Sequence, residues 1–222
     1  MYDAYISLGT NCEAGLNFRR IGYEVSSFFR FTSSSYESTM QLIERDFKDV
    51  YLKENIQPVL DHMIRDLGTS IVHHTALHSK EENGVRQFSP DYDFEEAYAK
   101  EASKIQYFVQ KWNDLTASDQ KVLYIFQNPH FTSRQRAEDM LALLRRKYPK
   151  HNCDLLYIQL EAHREPEWPT EGLFNRYFAR FAPYDDAYSY DQAAWDRIFA
   201  EFPLKPTADR GASKDKQVSL LS

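Results

Sequence analysis

Hydrophobic and polar positions follow two rhythms along this chain, and the switches between them predict its elements. Residues 4–8 form a short apolar run ending at Gly9, which predicts a buried strand that turns into a helix over about 12–21, with Ala14, Phe18 and Ile21 at helical spacing. Residues 25–31 predict a short strand. Ser33-Ser34-Ser35 then caps a helix whose apolar side is Tyr36, Met40, Ile43 and Phe47. Val59, Leu60, Met63, Ile64 and Leu67 recur at helical spacing, so another helix is expected from about Ile56 to Gly68, with Pro58 in its first turn. Residues 69–76 alternate with β-branched side chains and predict a strand carrying His73 and His74 toward its end, followed by a polar loop over 79–90.

Phe94, Ala97, Tyr98, Ala102, Ile105, Val109 and Trp112 mark a long amphipathic helix over 93–112, and residues 121–126 predict a buried strand. Thr132-x-x-Gln135 is a capping box for a helix facing inward through Ala137, Met140, Leu141 and Leu144. A strand is expected over 153–160 and another over 174–181. Ser189-x-x-Gln192 opens a last helix carrying Trp195, Ile198, Phe199 and Phe202. Strands alternating with helices predict an α/β fold: a mainly parallel sheet with helices on both faces, in a Rossmann-like three-layer arrangement. One domain over 1–206 and a flexible, polar tail over 207–222 complete the expectation. Ligands of such sheets bind beyond the carboxyl ends of strands, which singles out residues 9–12, 73–78, 127–130 and 160–163.

Composition narrows the function classes. The chain has 222 residues, 42% of them hydrophobic, enough to bury a core. A net charge of -6, with no basic run longer than Arg145-Arg146-Lys147, argues against nucleic acid or an anionic membrane as partner. A small-molecule, peptide or glycan substrate is expected instead. The two cysteines, Cys12 and Cys153, stand far apart, which leaves no local disulfide framework or zinc knuckle and suggests a reducing compartment. No apolar run approaches the ~18 residues of a membrane span, and no signal-peptide pattern opens the chain, so a cytoplasmic location is expected.

The chemistry centres on Cys12, at the end of Ser7-Leu8-Gly9-Thr10-Asn11-Cys12. A thiol in the first turn of a helix meets the positive end of the macrodipole, which favours thiolate. The amides of Asn11 and Cys12, with the Asn11 side chain, could donate to an oxyanion. The competing reading makes Cys12 a packed apolar group. His74 and then His78 are the candidate bases, because His73 and His74 point to opposite sides of a strand. Asn128 is the candidate third member, and Asn11, Arg30 and His73 are candidate substrate-binding residues, Arg30 facing an anionic group or lying on the surface. Phe18 stands where a cysteine-phosphatase loop would need arginine. Nucleotide-binding glycine motifs and His-Glu-x-x-His are absent from the sequence, and neither a cofactor nor a metal is expected.

These residues carry a resemblance. The Ser7–Cys12 segment, Arg19-Arg20-Ile21-Gly22, the aromatic block over 28–31, Asp46-Phe47, the histidines near 74, the segments over 121–126 and 154–160, and Trp195 resemble the bacterial papain-like cysteine peptidase family, a domain of unknown function. The resemblance spans most of residues 4–200. It implies a thiol hydrolase acting on an amide or ester, with Cys12 as nucleophile and a downstream histidine as base. Where that family has Pro-Phe-Asp-Trp this chain has Phe28-Phe29-Arg30-Phe31, and the family's His-Asp pair has no intact counterpart. A fainter similarity, Gly9-Thr10-Asn11-Cys12 against a Gly-Asn-Cys motif, links it to thiol-dependent acyltransferases of surface-polysaccharide biosynthesis. A non-catalytic sugar-binding or interaction domain is the third reading, suggested by 15 Tyr and 15 Phe.

Overall fold

In chain order, the computed structural model has β1 (Ala4–Ser7), α1 (Glu13–Arg20), β2 (Thr32–Ser33), α2 (Tyr36–Glu44), β3 (Ile56–Leu60), β4 (Met63–Asp66) and β5 (Ile71–His74). Next come β6 (Ser79–Glu82), β7 (Val85–Phe88), α3 (Phe94–Thr116), β8 (Val122–Gln127), α4 (Arg134–Lys147), β9 (Cys153–Leu160), β10 (Leu173–Phe178) and α5 (Gln192–Glu201). The structure describes residues 1–130, 134–183 and 186–206. The capping residue Thr132 and the tail over 207–222 lie outside the described residues.

A parallel sheet runs β1-β8-β9-β10, with Ala4 opposite Val122, Val122 opposite Cys153 and Leu155 opposite Leu173. Every residue of β8 is buried, as its unbroken apolar run requires of a strand covered on both faces. On one face Tyr5 stacks on Phe18 of α1 and Phe199 of α5, with ring centroids 5.6 and 5.7 Å apart. On the other, Trp112 of α3 lies 5.5 Å from Tyr124 and Tyr36 of α2 lies 6.1 Å from Phe126. Helices therefore flank this sheet on both sides. Asp93 caps α3 by accepting from the Glu96 amide at 3.0 Å, and α5 is capped by Asp191, two residues beyond the Ser189 expected from the capping box. Among the described residues, no helix is long and apolar enough to cross a membrane.

Several expectations fail in the first half. The segment over 56–67 is an antiparallel hairpin, β3–β4, and β5 pairs antiparallel with both β2 and β4 in a second sheet ordered β2-β5-β4-β3. The fold is α/β, but it combines sheets of two kinds: β1, β8, β9 and β10 pair parallel, while the other named strands pair antiparallel. The helical spacing at 59–67 was fortuitous. Leu60 and Leu67, two members of the supposed buried stripe, are 48% and 55% exposed, while Ile64 is fully buried. Pro58 is accommodated because β3 is an edge strand, where an absent N–H costs little. Asp66 at the end of β4 is buried, and its carboxylate accepts from the Tyr51 and Gly68 amides, both at 2.9 Å, and from Thr69 Oγ1 at 3.0 Å.

The loop expected over 79–90 holds the β6–β7 hairpin. Its turn is Asn83-Gly84, with φ of 53° and 77°, the left-handed pair that a tight two-residue hairpin demands. Residues 25–31 form no strand. Instead they wrap the buried Arg30 guanidinium, which donates to the carbonyls of Val25 (2.7 Å), Tyr23 (2.9 Å) and Gly15 (3.4 Å). A Cβ at position 15 would sit 2.4 Å from the Arg30 carbonyl, so glycine is what lets α1 approach this loop.

Candidate functional site

The site is assembled where the carboxyl end of β1 meets the end of β5. After Ser7 the chain turns sharply through Gly9 and Thr10, both with left-handed φ, 94° and 85°. A Cβ on Gly9 would fall 2.0 Å from Ser34 Oγ. Thr10 is a β-branched residue in a conformation it disfavours, so the turn must be held from outside. Thr10 Oγ1 donates to the Gln127 carbonyl at 2.6 Å, Ser33 Oγ donates to the Thr10 carbonyl at 3.0 Å, and Thr39 Oγ1 donates to the Leu8 carbonyl at 3.1 Å. The turn is thus fastened to β8, β2 and α2 together, and Cys12 follows it at the N-cap of α1.

Cys12 Sγ lies 3.3 Å from His74 Nε2. Two residues 62 positions apart in the chain meet because β5 ends at His74 and successive strand side chains alternate in direction. His74 turns outward to the thiol, and His73 turns into the core. Cys12 is partly buried, and burial pushes its thiol up to about 11. Burial also lowers His74, assisted by His62 and Lys104, whose positive charge disfavours a proton on the ring. Both groups therefore rest neutral. The thiolate expected from the helix terminus is displaced for a specific reason: the Cys12 side chain takes no cap bond, and Asn11 Oδ1 accepts from the Glu13 amide at 3.0 Å instead. The terminal N–H field is spent on Asn11, while the sulfur keeps its desolvation cost.

Two of the three candidate substrate contacts are relocated. Arg30 is neither at the site nor on the surface; it is 3% exposed and spends its guanidinium on backbone carbonyls. His73 is buried, edge-on to Phe28 and Tyr51 at 5.6 and 5.5 Å, and burial pulls it down to about 3. It is a core side chain packed among aromatic rings. Asn11 stays beside Cys12 as a helix-capping group. His78 is exposed and turned toward Asp61, its Nδ1 3.9 Å from Oδ1. Asn128 is buried; its Nδ2 donates to the Tyr157 hydroxyl at 2.9 Å and its Oδ1 accepts from the His130 amide at 3.1 Å.

Burial of His73 carries a stability consequence. The unfolded chain takes up a proton near the ordinary histidine pKa of about 6.5, and the folded ring refuses it down to about 3. Its contribution is whole above the unfolded value and is lost as pH falls toward the folded one, at about 1.4 kcal/mol per pH unit for one proton. His151, beside the Tyr124 hydroxyl and lowered to about 4, acts in the same direction. Urea unfolding should therefore show stability falling from pH 6.5 to pH 4.5, and His73→Phe should make that fall shallower by about 1.4 kcal/mol per pH unit, its one proton, while His74 and His151 keep theirs.

Sequence reasoning passed over Glu13. Its carboxylate is fully buried, accepting from Trp195 Nε1 and from the Ala182 amide, each at 2.8 Å, and burial raises its pKa. It ties the first turn of α1, and hence the Cys12 backbone, to α5. A glutamate in the first turn of the helix expected over about 12–21 was the available signal, though nothing local distinguished it from a solvated first-turn acid. No family model, curated protein or solved structure matches this chain.

Proposed function

We propose that the chain is a cysteine-nucleophile hydrolase acting on an amide or ester through an acyl-thioenzyme. The single observation carrying this reading is the 3.3 Å contact between Cys12 Sγ and His74 Nε2. The resemblance of the Ser7–Cys12 segment to papain-like cysteine peptidases supports the same chemistry. Sγ attacks the acyl carbon as its proton passes to His74 Nε2, and the resulting imidazolium protonates the departing amine or alcohol. Water then enters, giving its proton to the same nitrogen, and the thioester C–S bond breaks to release acid and restore the thiol. The Asn11 and Cys12 amides, ahead of the Glu13 amide that Asn11 Oδ1 accepts from, are the oxyanion donors in this reading.

A neutral pair differs from a preformed ion pair in a measurable way. Alkylation of Cys12 by iodoacetamide should be more than about tenfold slower than that of free cysteine at pH 7, and should climb steadily up to pH 10. A rate plateau from pH 5 to pH 8 would reveal a thiolate–imidazolium pair and overturn the neutral assignment. The reaction class is tested separately, with activated esters, peptides and acyl-coenzyme A as donors and intact mass as readout. Hydrolysis predicts a transient acyl adduct on Cys12 that water discharges. An adduct stable in water and discharged only by sugar hydroxyls would make the chain an acyltransferase, and no adduct from any donor would remove the catalytic reading.

A further inference from the structure

The turn joining β3 to β4 brings Asp61 and His62 against His78, which begins the approach to β6. His62 Nε2 lies 3.5 Å from Asp61 Oδ2, and His78 Nδ1 lies 3.9 Å from Asp61 Oδ1. The three ligand atoms fall within 4.8 Å of one another, all on exposed side chains. We propose that Asp61, His62 and His78 form a binding site for a divalent transition-metal ion of the zinc class, separate from the Cys12–His74 pair.

Two imidazoles and a carboxylate are the donor set that suits such an ion, with a fourth position left to water or a ligand. Zinc holds nitrogen and carboxylate oxygen at about 2.0–2.2 Å, which places donors roughly 3.3 Å apart in a tetrahedron. The observed separations are 3.5 Å from His62 to Asp61 Oδ2 and 3.9 Å from His78 to Asp61 Oδ1, and the three donors lie within 4.8 Å of one another, near that spacing. The carboxylate is already oriented: Oδ1 accepts from the Ser79 amide at 3.0 Å and the His62 amide at 3.1 Å, which turns Oδ2 toward the His62 ring. His62, with a left-handed φ of 57°, closes the β3–β4 turn. Its ring packs 4.3 Å from that of His78, and the Tyr92 hydroxyl donates to the His78 carbonyl at 3.2 Å.

The test uses the full chain, stripped with chelator and titrated by calorimetry with zinc alone, and with cobalt followed by visible absorption. One equivalent should bind the wild type and Cys12→Ala alike, and the cobalt bands should carry nitrogen and oxygen character without thiolate charge transfer. His62→Ala and His78→Ala should each weaken binding at least tenfold while leaving the far-ultraviolet circular dichroism unchanged. Asp61→Asn, which keeps the side-chain volume, is a second variant should either alanine form misfold. Loss of binding in Cys12→Ala, or retention in both histidine variants, would overturn the proposal. Because Cys12 is outside the donor set, this outcome is independent of whether the thiol proves catalytic.

Discussion

Replacing His74 with alanine is expected to slow acylation of Cys12 by about 10²–10⁴-fold, the contribution of a positioned general base. The size follows from the resting state. A thiol pushed up to about 11 supplies almost no thiolate at neutral pH, so attack requires the proton to leave as the bond forms. His74 Nε2, 3.3 Å from the sulfur, is placed to take it. In the wild type the acylation rate should rise as His74 loses its proton, at a pH below the ordinary histidine value because burial, His62 and Lys104 all lower it, and then stay level through pH 8. The alanine variant should lose that lower limb and follow the thiol alone. Cys12→Ala should abolish acylation, and the double variant should be no worse than the single one, because the two groups act as a unit. His74 is the one residue of β5 that lies outside the core, so thermal unfolding should change little. Single-turnover acylation followed by intact mass checks all of this; an alanine variant within threefold of wild type would move the base elsewhere.

The parallel sheet was legible because both its faces are covered. Residues 122–126 and 155–158 are unbroken apolar runs, and such runs state their own burial. The long helix over 94–116 announced itself by periodicity for the same reason. The antiparallel sheet was not legible, because half its surface is wet and its strands are short. At 56–67 a period-two pattern interrupted by the Asp61-His62 turn leaves apolar residues three and four apart, and only exposure of Leu60 and Leu67 tells that pattern from a helix. Asn83-Gly84 was a readable hairpin signal set among polar residues, where nothing apolar drew attention to it.

The site divides along the same line. Cys12 and His74 could be singled out because each ends a strand or opens a helix, and strand alternation separated His74 from His73. The electrostatics could not be read, since desolvation depends on what packs over the sulfur. Asp61 and His62 stayed hidden inside an expected helix, and Arg30 was misplaced because a lone arginine among aromatics carries no local mark of burial. Its partners are backbone carbonyls, which every sequence contains.

Arg30 supports the largest stability prediction. Its guanidinium is buried and satisfies the carbonyls of Gly15, Tyr23 and Val25, while its ion pair with Glu24 spans 3.6 Å to a carboxylate whose side chain is 63% exposed. Removing the donor deprives the Val25 and Tyr23 carbonyls of their partner, each costing about 1–3 kcal/mol when unsatisfied, while the Gly15 carbonyl keeps its place in the α1 ladder and partial relaxation holds the total below the sum. Arg30→Ala should therefore destabilise the chain by about 3–5 kcal/mol, read as a lower urea midpoint at unchanged slope. Arg30→Lys should recover little, because one ammonium on a flexible stem does not span three carbonyls on two segments. Glu24→Gln should cost less than about 1 kcal/mol, which separates the carbonyl clamp from the surface ion pair. The effect should also reach the thiol. Arg30 holds the loop against Gly15, one turn beyond Cys12 on α1, so loosening that contact admits water to the sulfur and removes part of the desolvation that raises its pKa. Alkylation of Cys12 at pH 7 should accordingly be faster in Arg30→Ala than in wild type under conditions where both remain folded; an unchanged rate would show that the clamp stabilises the loop without shielding the thiol.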